Sequence, residues 1–178
     1  MRITILLTLL WFFTFSLTAQ IVYNNTNFDD KVATVILQKD LAIYDPLPII
    51  GLNEGDRLKL SFDILEPVNE FFNYSIVHCD RNWKLSDLQP MEYISGNTMG
   101  EITDFKFSTN TYQKYTHYNL NFPTSDMQIT KSGNYALLVY RNFDETDLVL
   151  TRRFMVVDNQ TSIESDIKTA TLPEFRFT

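Results

Sequence analysis

The sequence predicts an all-β fold, an immunoglobulin-like sandwich of two antiparallel sheets with about seven strands. Three observations predict it. Apolar and polar residues alternate over short runs, turn-forming clusters separate those runs at short intervals, and helix-period patterning is scarce. No internal repeat, low-complexity tract or coiled-coil heptad competes with this reading.

The chain opens on a leader. Met1-Arg2 supplies one positive charge, Ile3 to Leu17 is an almost unbroken apolar run, and small and polar residues follow at Thr18-Ala19-Gln20. That order is the one a secretory signal peptide shows. The apolar run is shorter than the roughly 20 residues a membrane-spanning helix needs. Residues 1–19 are therefore expected to be removed, leaving a chain of 20–158 as one domain and 159–178 as a polar linker entering a further domain.

The elements follow in order. Val32 to Leu37 is apolar on both faces. Asn53-Glu54-Gly55-Asp56 is turn chemistry, and Arg57 to Ile64 then alternates strictly, with Leu58, Leu60, Phe62 and Ile64 on one face. Phe71 to Cys79 is again two-sided. Ser86-Asp87-Leu88-Gln89 has the composition of a single helical turn, which Pro90 limits. Asp104 to Ser108 is a short alternating run. From Tyr112 to Phe122, Thr116, Tyr118, Leu120 and Phe122 share one face, while Tyr115, His117, Asn119 and Asn121 share the other. Tyr135 to Tyr140 and Leu148 to Val157 complete the set. Two-sided apolarity suits central strands or strands covered by a neighbouring domain. Turns fall at Asp45-Pro46, Glu66-Pro67, Ser95-Gly96-Asn97, Ser132-Gly133-Asn134 and Asn142-Phe143-Asp144. Gly133-Asn134-Tyr135 fits two readings, a tyrosine at an inter-sheet corner or a plain turn leading to a core tyrosine.

Composition narrows the function classes. The net charge is −7, and it becomes −8 once Arg2 leaves, which argues against nucleic acid and anionic lipid as partners. The single cysteine, Cys79, has no partner for an internal disulfide, so packing must hold the fold, and burial in a strand would protect the thiol. Five scattered glycines form no phosphate-cradling loop. His78 and Cys79 are adjacent, hence on opposite faces of a strand, and give no zinc pattern. No cofactor, metal site or small-molecule substrate is expected. A Cys79–His117 nucleophilic pair is conceivable but unsupported by any spacing, and Asp126, Asp144, Glu145 and Asp147 match no calcium loop. The chain is read as a binding domain, not an enzyme.

The candidate binding residues are Asp80, Arg81, Trp83, Tyr93, Tyr115 and His117. Trp83 beside Arg81 has the composition of an interface anchor; it equally suits a core tryptophan closing the end of the sandwich. Tyr115 and His117 lie on the polar face of their strand, as a binding surface or as cross-strand neighbours. Arg152-Arg153 is a local conflict, because one of two adjacent arginines must face the core. Either the strand is an edge, or the inward arginine meets a carboxylate, for which Asp80 is a candidate.

Five strings in order also carry a resemblance: Tyr74 to Asp80 with Trp83, Met91 to Gly96, Tyr115 to Tyr118 with Leu120, Phe122 and Pro123, Ile129 to Tyr135, and Leu150 to Asp158. Together they resemble the first domain of the type IX secretion system plug protein of Bacteroidota, over roughly Val32 to Asp158. The resemblance implies a non-enzymatic periplasmic protein, peripheral to the inner side of the outer membrane. It would bind the periplasmic mouth of the giant outer-membrane translocon barrel and help close it when idle. The resemblance also implies further β-rich domains downstream and supplies no catalytic residues. The competing reading is an exported glycan-binding module, which requires Trp83, Tyr93 and Tyr115 to lie coplanar on one exposed surface.

Overall fold

A computed structural model describes residues 22–41 and 47–161. The leader, the Asp45-Pro46 turn and all but the first three residues of the 159–178 linker lie outside them.

The fold is nearly all β. Its strands are β1 (Thr26–Asn27), β2 (Val32–Lys39), β3 (Ile49–Gly51), β4 (Leu58–Ile64), β5 (Phe72–Cys79), β6 (Ile94–Gly96), β7 (Met99–Ile102), β8 (Asp104–Phe107), β9 (Thr116–Phe122), β10 (Met127–Ile129), β11 (Gly133–Arg141) and β12 (Asp144–Val157); a single helical turn, α1, spans Pro90–Tyr93. The larger sheet has the order β1-β12-β11-β5-β7, with β3 running parallel to the last residues of β12. The smaller has the order β2-β4-β9-β8, and β6 and β10 form a separate two-stranded ribbon. All other pairings are antiparallel. Among the described residues there are twelve strands; seven answer to the runs read from the sequence, and the other five are two to four residues long.

The alternation in β4 and β9 is obeyed residue by residue. Leu58, Leu60, Phe62 and Ile64 are completely buried, as are Thr116, Tyr118 and Phe122. Their polar neighbours line the opposite face in register, where Ser61 donates to Asn119 at 2.9 Å and Asp63 meets His117 at 2.6 Å. Between the sheets, Phe62 stacks on Tyr118 at 5.2 Å, Phe72 meets both edge-on, and Phe154 packs against Phe122 and Tyr135. Burial of large aromatic rings is the main source of stability here, since no disulfide is present among the described residues. The Tyr118 hydroxyl accepts from the Glu70 amide and donates to carbonyls of Val68 and Glu70, so the β4–β5 loop is anchored from within the core.

The larger sheet is apolar on its outer face too. Cys79, Ala136, Leu138 and Tyr140 form a second cluster there, against which Tyr23, Val77, Trp83 and Leu148 pack. Of the two-sided strands, β5, β11 and β12 are thus central in the larger sheet, with the chain's own N-terminal segment and Trp83 on its far side; β2, the fourth, is instead the edge of the smaller sheet and only its first residue is fully buried. Tyr135 is a tyrosine corner: its hydroxyl donates to the Lys131 carbonyl at 2.8 Å, and its buried ring meets Phe154 at 5.4 Å. Gly133 is required in this corner, because a Cβ there would sit 2.5 Å from His78 Nε2 and φ is +149°.

Two local expectations are corrected. Pro90 starts the helical turn instead of limiting it: it occupies the first turn, where no amide hydrogen is needed, and Gln89 with Glu92 forms the capping box. Ser95 and Gly96 belong to a strand, not a turn, because they pair with Gln128 and Met127.

Candidate functional site

The chain from Asp80 to Lys84 reverses direction at the end of β5. Asp80 Oδ1 accepts from the amides of Asn82 (2.7 Å) and Lys84 (2.9 Å), its carbonyl accepts from Trp83, and Asn134 Nδ2 donates to the same carbonyl. The Lys84 amide above all holds the Asp80 carboxyl below its usual range. This turn places Trp83 in the left-handed region, at φ +61°, a conformation a bulky residue adopts only when its surroundings require it. The requirement is visible. The indole is half-buried against the outer cluster, and the Arg153 guanidinium stacks on it 4.4 Å from the ring centre. Arg153 also donates to the Tyr23 carbonyl and to Asn24 Oδ1. Arg81 stands exposed at the tip of the turn.

The arginine pair falls at a local gap in the pairing of its strand. Arg152 lies in register with Leu137, on the inner face, and Arg153 with Ala136, on the outer one. On the side away from β11, β12 pairs with β1 at Leu150–Thr151 and with β3 at Met155–Val157, so both arginines stand between the two at a local edge. No carboxylate accounts for Arg152: its guanidinium donates to the Thr26 and Thr151 carbonyls and to Asn27 Oδ1. Burial lowers its pKa, as expected of a cation held by neutral acceptors. Asp80 is no hydrogen-bond partner of either arginine; it is committed to its own turn.

The six sequence-predicted residues therefore divide. Asp80, Arg81 and Trp83 share one corner of the larger sheet. Tyr115 and His117 lie in the opposite layer, where the Tyr115 amide and carbonyl close the β8–β9 hairpin against Ser108, and His117 Nδ1 pairs with Asp63. Tyr93 is 2% exposed, with its hydroxyl donating to the Ile76 carbonyl and its ring among His78 and Tyr135. The three rings a glycan platform needs do not share a surface. Cys79 and His117 belong to different sheets, and burial pushes the Cys79 thiol up to about 11, so no activated Cys–His pair forms. Among the described residues no group of three or more His, Cys, Asp or Glu side chains is placed to hold a metal ion.

One surface escaped the sequence reading. Phe71 is 77% exposed and Phe143 62% exposed, and together with Phe72, Ile102 and Phe105 they line a cleft of about 450 Å³. The Phe71-Phe72 doublet gave no clear signal in the sequence, because β5 is buried on both faces and Phe71 lies just before it.

Comparison with known proteins gives the following. Residues 32–158 match the family model described as type 9 secretion system plug protein 1st domain. The chain is similar to a hypothetical protein from Parabacteroides merdae ATCC 43184, seen in a crystal structure, at 29% sequence identity and a TM-score of 0.74. That likeness covers 78% of this chain and 35% of the other, so the chain spans about a third of that protein's length. A Pseudomonas fluorescens alkylpurine DNA glycosylase bound to DNA containing an abasic site analogue aligns at 12% identity and a TM-score of 0.38, over 71% of this chain and 30% of that one, which carries no argument. No curated protein matches the chain.

Proposed function

The chain belongs to the family of type 9 secretion system plug protein first domains, and from that premise we propose that it is a non-enzymatic periplasmic component that binds the periplasmic mouth of the outer-membrane translocon barrel and helps to close it between substrates. The family match over residues 32–158 carries this reading. The physics of a gate supports it. A large barrel leaves an aqueous channel, and blocking it calls for a folded, stiff body. A sandwich packed on both faces of one sheet, with aromatic rings interlocked between its layers, is such a body.

In this reading residues 1–19 direct export and are removed, residues 20–158 form the docking domain, and residues 159–178 lead into a further domain. The mature chain sits against the inner side of the outer membrane without inserting into it. Asp80, Arg81 and Trp83 form the first contact surface, with Tyr115 and His117 a second on the opposite layer; Tyr93 acts from inside, by holding the segment after the Trp83 turn. The net charge, −7 for the full chain and −8 without Arg2, favours a basic rim at the barrel mouth.

The test is affinity purification of the tagged chain from detergent-solubilised envelopes of its own cell, with quantitative mass spectrometry. One very large outer-membrane barrel recovered in a near-fixed ratio is expected, with at least tenfold less recovered for the Arg81→Glu, Trp83→Ala double variant. A folded, tagged chain that elutes without that barrel would sink the proposal.

A further inference from the structure

A second cleft, of about 430 Å³, runs along the free edge of β7. Met99, Gly100 and Glu101 all line it. Consecutive strand residues point to opposite faces, so three in a row can line one cleft only where it follows the edge of the strand. That edge is unpaired. β7 ends the larger sheet, its strand partner is β5, and no other backbone hydrogen bond reaches Met99 to Ile102. Exposed edges usually carry a guard. β2, at one edge of the smaller sheet, has a bulge: its register shifts between Ala33 and Ile36, where Thr34 stands at φ +50°. β8, at the other edge, carries Lys106. β7 has no bulge, proline or lysine, and its register with β5 is unbroken.

The rest of the cleft is fixed in place. Asn97, Thr124 and Asp126 line it too. Thr124 and Met127 exchange backbone hydrogen bonds, and the Asn97 amide donates to the Asp126 carbonyl at 2.7 Å, which holds this wall. A Cβ on Gly100 would sit 2.5 Å from Tyr74 Cε1, so the glycine lets the edge lie close over that buried ring. Phe143, 62% exposed, is the second residue of the two-residue turn Asn142-Phe143, where φ of +59° strains a bulky side chain. Asn73, 3% exposed, accepts from the Phe143 amide at 3.0 Å through Oδ1, while its Nδ2 donates to nothing among the described residues. The charge is one-sided. Glu101 and Asp126 line the cleft and no lysine or arginine does. Neither carboxylate forms an ion pair among the described residues. Burial raises the Tyr74 pKa, and the Asp126 carboxylate lies close enough to add to that rise.

From this geometry we infer that the free edge of β7 accepts an extended segment of a partner protein as an added strand, and that this segment carries lysine or arginine. Main-chain hydrogen bonds to Met99–Ile102 hold the segment, the Asn73 amide offers one further donor, and Glu101 and Asp126 select its basic side chains. The edge is four residues, about 13 Å, so a short segment fills it.

The test is titration of the isotope-labelled chain with a blocked heptapeptide alternating lysine and valine, read by NMR shifts and amide hydrogen exchange. Binding is expected to slow exchange within Met99–Ile102 and to leave the β2 and β8 edges as they were. Methylating the peptide nitrogens removes every backbone donor and keeps every lysine, and it should weaken binding at least tenfold. Glutamate in place of lysine should do the same, as should Glu101→Lys and Asp126→Lys in the chain. Both side chains are exposed, and each variant is checked for an unchanged unfolding midpoint. The peptide changes need no variant, so they decide the matter even where a substitution disturbs the fold. No slowing at Met99–Ile102, equal binding of the methylated or the glutamate peptide, or indifference to both charge reversals would overturn the inference. So would a dimer of the chain alone that protects the same amides, which would give the edge to a second copy.

Discussion

Replacing Phe143 by glycine and, separately, by alanine isolates the backbone cost of its turn. Both changes remove the same ring, which is 62% exposed, so both variants give up the same aromatic packing. What differs is the φ of +59°. In ordinary strand or helix positions alanine is the more stable of the two, by about 0.5–1 kcal/mol, because glycine orders more freedom on folding. In the left-handed region a Cβ costs about 1–2 kcal/mol. The difference reverses the usual order, so the glycine variant should be more stable than the alanine variant by about 0.5–1 kcal/mol, roughly 2 °C in midpoint for a chain of this size. Equilibrium urea unfolding at pH 7, followed by circular dichroism with equal slopes for both proteins, reads this directly. An alanine variant as stable as the glycine variant would refute the strained turn.

Other changes follow from the same structure. Tyr135→Phe removes the corner hydrogen bond but leaves the Lys131 carbonyl near solvent, so a loss of about 1 kcal/mol in urea unfolding, with unchanged slope, is expected. Arg153→Ala uncovers Trp83 and releases Tyr23 and Asn24; in a chain freed of residues 1–19 Trp83 is the only tryptophan, and its emission should shift red and become quenchable by iodide. Cys79 should resist labelling by a disulfide reagent at pH 8 until denaturant is added, because the thiol is 2% exposed and burial holds its pKa near 11. Acid acts in two windows. Burial lowers the His78 pKa below 6.5, so its contribution is present at neutral pH and is lost as the pH falls below 6.5; His78→Gln should flatten the midpoint-versus-pH curve there. The Asp56 carboxyl is lowered chiefly by Lys39, so its stabilisation holds above the ordinary carboxylate pKa of 3.8 and disappears as the pH falls through its lower folded value; Asp56→Asn should make that second decline shallower, the rest of it coming from Asp29, Asp80 and Asp144, which are lowered too.

The long alternating strands were legible because period and burial are the same fact there: Leu58, Leu60, Phe62 and Ile64 repeat every second residue, and each is completely buried. The short strands were not. Ile49–Gly51 and Ile94–Gly96 hold three residues each, too few for a period, and they become strands only by meeting β12 and β10 from elsewhere in the chain. Arg152 was visible as a conflict, yet its solution rests on Thr26 and Asn27 at the far end of the chain, which no local pattern announces. Of the candidate surface, the Trp83 turn was readable from its polar residues. Tyr93 was misplaced because a tyrosine beside exposed Met91 and Glu92 gives no sign that its own side chain turns inward. Phe143 was placed in a turn correctly, but a positive φ leaves no mark on a sequence.

The pairing of β1 with β12 joins the first described strand to the last, and Arg152 reaches Thr26 across 126 positions. A chain that emerges amino end first, from a ribosome or through a membrane channel, has no partner for Thr26–Asn27 until Leu150–Thr151 has followed. Until then Tyr23, which packs on the outer cluster over Cys79 and Leu138, is held by the Trp83 carbonyl but not yet by Arg153. Completion of the sheet is thus timed by the length of chain delivered, and contacts of such long separation form slowly. The larger sheet therefore gains its β1 edge last, whereas the smaller sheet, complete within residues 32–122, can pair before it.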